Sequence, residues 1–440
     1  MSAITLFILS RVYILFVLEP ILSDAKDTYY VSAIKAYDGQ LIPYQYDLPI
    51  VYPPVAWWTT YAPRFLDSRR LLDPVDHTKA QAMRVTYCRI FRSEMCLFDV
   101  ASFILLLMIV HKRRHGLSGW AGLTYTATTA VLAHLLYDRL DVGLAFFLLA
   151  WAFCWIKSLD EKSRSIAWSA AAYAFVGLGI SYKIVPVIVI PFLILADWKS
   201  PQRTARLSFC IFALLVTVGL PFLIQYSISG FWVFDFLRFH SQRGIQIESL
   251  YSTLMMIGSL LGADVFFKVV YGGINLAGDL SKLMINLSTI ALVVFLGCAW
   301  LWLLFRPSTS RRQEGYRLIC FVIIAAVILS KVLSPQYFIW ALCMSLLLAA
   351  DVLTPSSAKP WALTVLWLIV AGLSTWIFPY HYLSRPGTPG LAAPNPFEAK
   401  VFNLLPCLVL GLRNFLYLGL VAWQGVILFR HPVQHPQPES

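Results

Sequence analysis

Apolar runs and short polar connections alternate along almost the whole chain. The runs fall at residues 4–22, 95–110, 120–136, 142–156, 166–180, 184–196, 207–226, 284–305, 318–330, 338–350, 361–378 and 402–429. A hydrocarbon core about 30 Å thick takes about 20 apolar residues per helix, so these runs predict about twelve membrane-spanning segments. The expected fold class is an all-α integral membrane protein, with residues 1–440 forming one polytopic domain. Several runs are shorter than a full crossing, which is the pattern where helices end early around a buried cavity. The first run lacks a small-residue cleavage site and is read as a retained span. Arg11 inside it calls for an inward-facing partner or a later start, and Glu19 and Pro20 suggest that the span emerges early.

Two stretches interrupt this rhythm. Residues 23–94 form the longest polar segment, with a short helix expected over 27–38 and an extended entry at Tyr52-Pro53-Pro54 into the apolar stretch 55–61. Residues 66–78 read as charged connector. Residues 227–283 are only partly apolar, and 231–239 and 250–261 are expected to lie in the membrane interface, where they could line a groove for a lipid tail. The Pro-rich end, 430–440, reads as a disordered cytoplasmic tail.

Composition narrows the class further. The chain is 59% hydrophobic and 13% charged, too apolar for a water-soluble globule. Its net charge of +12 does not point to nucleic acid, because no basic face is interleaved with stacking aromatics. The basic residues instead recur at alternate connections (111–115, 157–164, 199–206 and 306–317), which makes those loops and both termini cytoplasmic. The eight cysteines lie mostly in apolar runs and never as Cys-x-x-Cys, so they are read as packing residues.

The same topology gathers one set of polar motifs on the opposite face: Ser23-Asp24 with Asp27, Tyr137-Asp138-Arg139-Leu140-Asp141, Ser181-Tyr182-Lys183, residues 240–248, residues 331–337 and residues 381–385. A carboxylate there could take a proton from an attacking hydroxyl, and Lys or Arg could hold a departing phosphate. Each residue also has a plainer reading. Asp24 and Asp27 could be solvated interfacial acids, and Lys183 could snorkel. Glu248 could bind a sugar hydroxyl or pair with Arg243. Arg139 and Asp141 read as a short-loop ion pair, His381 and Arg385 as solvated, and Tyr52-Pro53-Pro54 as loop-shaping.

Four of these motifs, in this order, resemble a known family. Ser23-Asp24, Tyr29, Gly39, Pro43-Tyr44, Asp47 and Tyr52-Pro53-Pro54 are similar to the first extracytoplasmic loop of the polytopic glycosyltransferases of the C superfamily (GT-C), specifically family 87. Ser181-Tyr182-Lys183 with Pro186 and Pro191, the run from His240 to Ser249, and the run from Lys331 to Tyr337 with Trp340 extend the resemblance. It implies an inverting transferase that moves a sugar, mannose first, from a polyprenyl-phosphate donor to a glycolipid or glycan at the outer face of a bacterial plasma membrane. A first-loop aspartate is then the base; Asp24 matches best and Asp27 is its rival. Lys183, His240, Arg243, Glu248, Lys331 and Gln336 are the expected donor phosphate and sugar residues, and Tyr29, Tyr44, Asp47, Tyr52, Pro53 and Pro54 shape and line the site. Membrane lipids are partners and nucleic acid is not. No cofactor or metal is expected, although Asp24 with Asp27 could hold a divalent cation weakly. The competing class is a polytopic transporter or flippase of lipid-linked sugars, which predicts internal repeats and mid-membrane charges.

Overall fold

The computed structural model describes residues 2–430 apart from 20, 22, 68–76, 199, 201, 271–272, 308–309, 355–356 and 383–402. Its helices are α1 (Ala3–Phe16), α2 (Tyr30–Tyr37), α3 (Pro54–Leu66), α4 (His77–Arg113), α5 (Ser118–Val131), α6 (Ala133–Leu136), α7 (Asp141–Asp160), α8 (Ser165–Tyr182), α9 (Ile190–Trp198), α10 (Arg203–Ser229), α11 (Asp235–Gln242), α12 (Leu250–Leu260), α13 (Ser281–Leu304), α14 (Arg311–Leu329), α15 (Tyr337–Val352), α16 (Lys359–Thr375) and α17 (Leu404–Arg430). Every predicted apolar run overlaps helix among the described residues, and the protein is an all-α polytopic membrane protein apart from one small sheet. Seven helical stretches among the described residues are long and apolar enough to cross a bilayer unaided. The segments Ala3–Phe16, Val185–Trp198 and Tyr337–Val352 are shorter.

Contacts between connections sort the helix ends onto two faces: Lys112 pairs with Asp160, Arg113 with Asp351, and Arg312 donates to Ser158. One collects the basic connections 111–118, 157–165 and 304–312; the other collects the candidate chemistry. α7, α14 and α15 are buried along most of their length and carry the centre of the core, where Trp151, Trp155, Trp340 and Trp367 are almost fully enclosed. α10 and α13 instead present rows of exposed apolar side chains such as Phe212, Leu215, Val293 and Val294, as helices facing lipid should.

Arg11 has the inward partner that its position demanded. Its Nε donates to Asp99 on α4 at 2.7 Å and its Nη2 to Thr129 on α5 at 2.7 Å, while Tyr125 and Tyr137 also donate to Asp99. α1 stops at Phe16, earlier than the run of apolar residues.

The segment 227–283 corrects the sequence reading. It is not two interfacial helices alone: three short strands, β1 (Ile245–Gln246), β2 (Val265–Val270) and β3 (Gly273–Gly278), form an antiparallel sheet in the order β1-β3-β2, with Ile245 opposite Leu276 and Phe267 opposite Leu276 on the other side. The β-branched and aromatic run Val265-Phe266-Phe267 suits a half-buried pleat. In α12, Tyr251, Met255 and Met256 are buried, and the helix packs on α17. The predicted connector at 66–78 lies largely, and the predicted tail almost wholly, outside the described residues.

Candidate active site

The first loop is a folded unit. Ser23 Oγ donates to Asp138 at 2.6 Å, anchoring the chain as it leaves α1. Asp24 immediately precedes a π-helical turn, Ala25–Tyr29, which runs into α2. At the far side, Pro53 is extended (ψ 167°) and Pro54 opens α3, the use of proline expected from Tyr52-Pro53-Pro54. Arg64 of α3 grips Asp38 with two bonds of 2.8 and 2.7 Å and closes the unit. Inside it, the buried Tyr44 (φ 73°) donates to the Tyr52 carbonyl at 2.8 Å, and the Tyr52 hydroxyl meets that of Tyr29 at 3.3 Å. Burial drives the Tyr52 phenol up to about 12, so it stays protonated.

The two rival aspartates separate here. Asp24 is 26% exposed and ion-paired with Arg139 from the α6–α7 turn. Asp27 is 60% exposed and paired with Arg84 of α4 at 2.8 Å. Arg139 is half-buried, its Nε has no partner, and burial lowers its guanidinium to about 10 against the pull of Asp141. Next to it Asp141 accepts from Lys183 Nζ at 2.7 Å and from Trp340 Nε1 at 3.0 Å. The expected Arg139–Asp141 pair is therefore corrected, because each residue bonds across to a different element. Gly143, one turn into α7, makes this possible: a Cβ there would collide with the hydroxyl of the enclosed Tyr182, the residue before Lys183.

The small sheet brings the last two motifs together. The Gln246 backbone N–H donates to the Lys331 carbonyl at 3.1 Å, tying β1 to the α14–α15 turn. Around this joint stand Arg243 and Lys331, neither with a carboxylate partner among the described residues; Arg243 Nε is buried without a hydrogen bond. Burial first, then the charges of Arg243, Lys183 and Lys331, lowers the His240 imidazole to about 4, so it is neutral at pH 7. Lys331 is lowered as well, by burial and by Arg243. Three sequence-predicted cationic side chains, Lys183, Arg243 and Lys331, thus act on one neutral imidazole.

Glu248 does not pair with Arg243. It meets Arg413 of α17 at 3.4 Å, with the Arg413 guanidinium also donating to its carbonyl at 2.6 Å, and full burial pushes its carboxyl up to about 7 despite Arg413 and Arg139. Gln336 is bonded locally to Ser334. Asp47 is exposed and joins no cluster. His381 is not simply solvated: Nδ1 donates to the Trp376 carbonyl at 2.8 Å and the ring stacks on Trp376. Arg385 lies outside the described residues. Arg139, Asp141 and Arg413 are the site residues that sequence reasoning undervalued. A charge within the apolar run 402–429 was the signal for Arg413. Among the described residues, no three His, Cys, Asp or Glu side chains converge as a metal site.

The structure of ArnT from Cupriavidus metallidurans in the apo state is similar to this protein over 97% of this chain and 76% of that one, with a TM-score of 0.52 and 15% identity. The same protein bound to undecaprenyl phosphate gives 0.49 at 16% identity over 97% and 77%, and an oligosaccharyltransferase from Archaeoglobus fulgidus gives 0.41 at 9% over 96% and 56%. No curated protein sequence matches. At this identity the likeness shows the fold alone, that of a polytopic helical membrane protein. The model of glycosyltransferase family 87 matches residues 90–335, more than half of the chain, and the chain belongs to that family. The matched region holds Lys183, His240, Arg243, Glu248 and Lys331, while Asp24 and Gln336 fall outside it.

Proposed function

We propose that this membrane glycosyltransferase moves a sugar, mannose first among candidates, from a polyprenyl-phosphate donor to a hydroxyl of a glycolipid or glycan at the outer face of a bacterial plasma membrane, with inversion. The observation that carries the reading is the convergence of Arg243 and Lys331, two basic side chains without carboxylate partners, on a neutral His240. Uncompensated guanidinium and ammonium groups in a half-buried site are costly unless an anion completes them. A phosphate matches these cations in charge and as a hydrogen-bond acceptor.

The chemistry follows from placement. The acceptor oxygen attacks the anomeric carbon opposite the phosphate, and its proton passes to the Asp24 carboxylate. The carbon–oxygen bond to phosphate breaks, and the electron pair leaves on a phosphate held by Arg243 and Lys331. A β-linked donor gives an α-linked product. Arg139 orients Asp24, and Lys183 holds Asp141 and, through it, the Trp340 indole. The exposed Phe231, Trp232, Phe234 and Leu237, just before His240, offer apolar surface for the polyprenyl chain.

The test is transfer in nanodiscs from a panel of radiolabelled polyprenyl-phosphate sugars to host lipid extract. Wild type should transfer from one donor, and Arg243→Gln with Lys331→Gln should lose donor affinity. No transfer from any donor by folded protein that still binds the lipid would overturn the reading in favour of a flippase or transporter.

A further inference from the structure

A second cationic feature lies outside the cluster just described. Where α1 ends against α4, a groove of about 670 Å³ is lined by Lys26, Arg84, Arg89 and Arg92. Glu19 and Asp138 are its acidic members, so four positive groups face two negative ones. Arg84 and Arg92 are committed, Arg84 to Asp27 and to the Lys26 carbonyl, and Arg92 to Asp138 at 3.7 Å and to the carbonyls of Ile14 and Leu18 at the end of α1, so the uncommitted charge of the groove rests on Lys26 and Arg89. Lys26 and Arg89 are exposed and have no acidic partner among the described residues. The opposite wall is apolar: Phe16 and Val17 are 81% and 63% exposed on the last turn of α1.

This is the level at which a span leaves the hydrocarbon and lipid headgroups begin. An exposed apolar wall below free cations suits an amphiphile with an anionic head, and it suits a neutral lipid or a soluble glycan poorly. The groove also runs to Ser23, beside Asp24, and to Asp138, which holds Ser23. Asp24 pairs with Arg139, and Arg139 and the donor cluster's Arg243 both act on Tyr382. The base therefore stands between two cationic sites.

We infer that the groove between the end of α1 and the first half of α4 docks the acceptor, and that the acceptor is a lipid carrying a phosphate or similar anionic head in the outer leaflet. Its apolar chains lie along Phe16 and Val17, its anionic group meets Lys26 and Arg89, and its sugar or polyol hydroxyl reaches Asp24. The inference rests on the transferase reading, since only a transferase has an acceptor.

The test separates the two. Native mass spectrometry of the full-length protein with phosphatidylglycerol and phosphatidylcholine reads the groove alone: wild type should retain phosphatidylglycerol selectively, and Lys26→Gln with Arg89→Gln should weaken it about tenfold. Lys282→Gln, an exposed charge at the start of α13, is the control. Equal retention of both lipids, or a double variant that binds as wild type does, overturns the inference whether or not the protein transfers sugar. In the transfer assay, host lipids are split into anionic and neutral fractions by anion exchange. Label should appear in the anionic fraction, with the acceptor KM raised about tenfold in the double variant and donor affinity unchanged. Label confined to the neutral fraction overturns the acceptor assignment. No transfer by wild type that still selects phosphatidylglycerol overturns the transferase reading and the acceptor role together, and leaves a groove for an anionic lipid.

Discussion

At the scale of single residues, the two first-loop aspartates differ in what surrounds them. Asp24 meets Arg139 inside the polar cluster, while Asp27 is solvated and paired outward to Arg84. Loss of a general base costs about 10²- to 10⁴-fold in rate. Asp24→Asn should therefore reduce transfer by about a thousandfold with donor binding retained, and Asp27→Asn should stay within about twofold. Single-turnover rates beside donor-binding isotherms check this; equal losses in both variants would remove the distinction. His240 gives a second expectation. Its lowered value means that between about pH 6.5 and 4 the unfolded chain binds a proton that the folded imidazole refuses, so stability falls as pH drops through that window. A phosphate bound by Arg243 and Lys331 cancels their field and should move the imidazole upward, which a histidine NMR titration with and without polyprenyl phosphate reads directly. An unmoved value would mean that the anion binds elsewhere.

Individual elements are held in place by contacts that cross the sequence. α1, α4 and α5 meet through Arg11, Asp99 and Thr129, a charged network sealed between helices. Replacing one member strands a buried charge, at a cost of about 3–5 kcal/mol. Arg11→Met should lower thermal stability in detergent by that order, and the double change with Asp99→Leu should recover much of it. α7 and α8 approach at Gly143, where Tyr182 leaves no room for a side chain. Gly143→Val should displace Tyr182 and with it Lys183, lowering transfer while Gly219→Val, where an added Cβ meets nothing, leaves it unchanged. The membrane-crossing helices were legible from the apolar runs because burial in lipid imposes length and composition on a span, whereas α2, α3, α11, α12 and the first half of α4 lie outside those runs. The strands were not legible: β1 has two residues, too few for any period, and forms because Gln246 and Ile247 find partners at Lys331 and Ile274, far away in sequence.

For the whole molecule, the sorting of helix ends sets one polar face against one basic face. If the basic face is cytoplasmic, a membrane-impermeant maleimide should label Asp47→Cys in intact cells and Arg114→Cys only after the membrane is opened; the reverse pattern would invert the topology. The sequence by itself determined the membrane class, the run of helices, the face on which the motifs gather and the family they belong to. Each of these is fixed by composition, by local period or by the order of short motifs, none of which requires knowing which helix touches which. Only the tertiary structure decided the partners. Arg139 turned from its near neighbour Asp141 to Asp24, Lys183 took Asp141, and Glu248 left Arg243 for Arg413. An ion pair is chosen by distance in space and by what burial leaves uncompensated, and spacing along a folded-back chain reports neither.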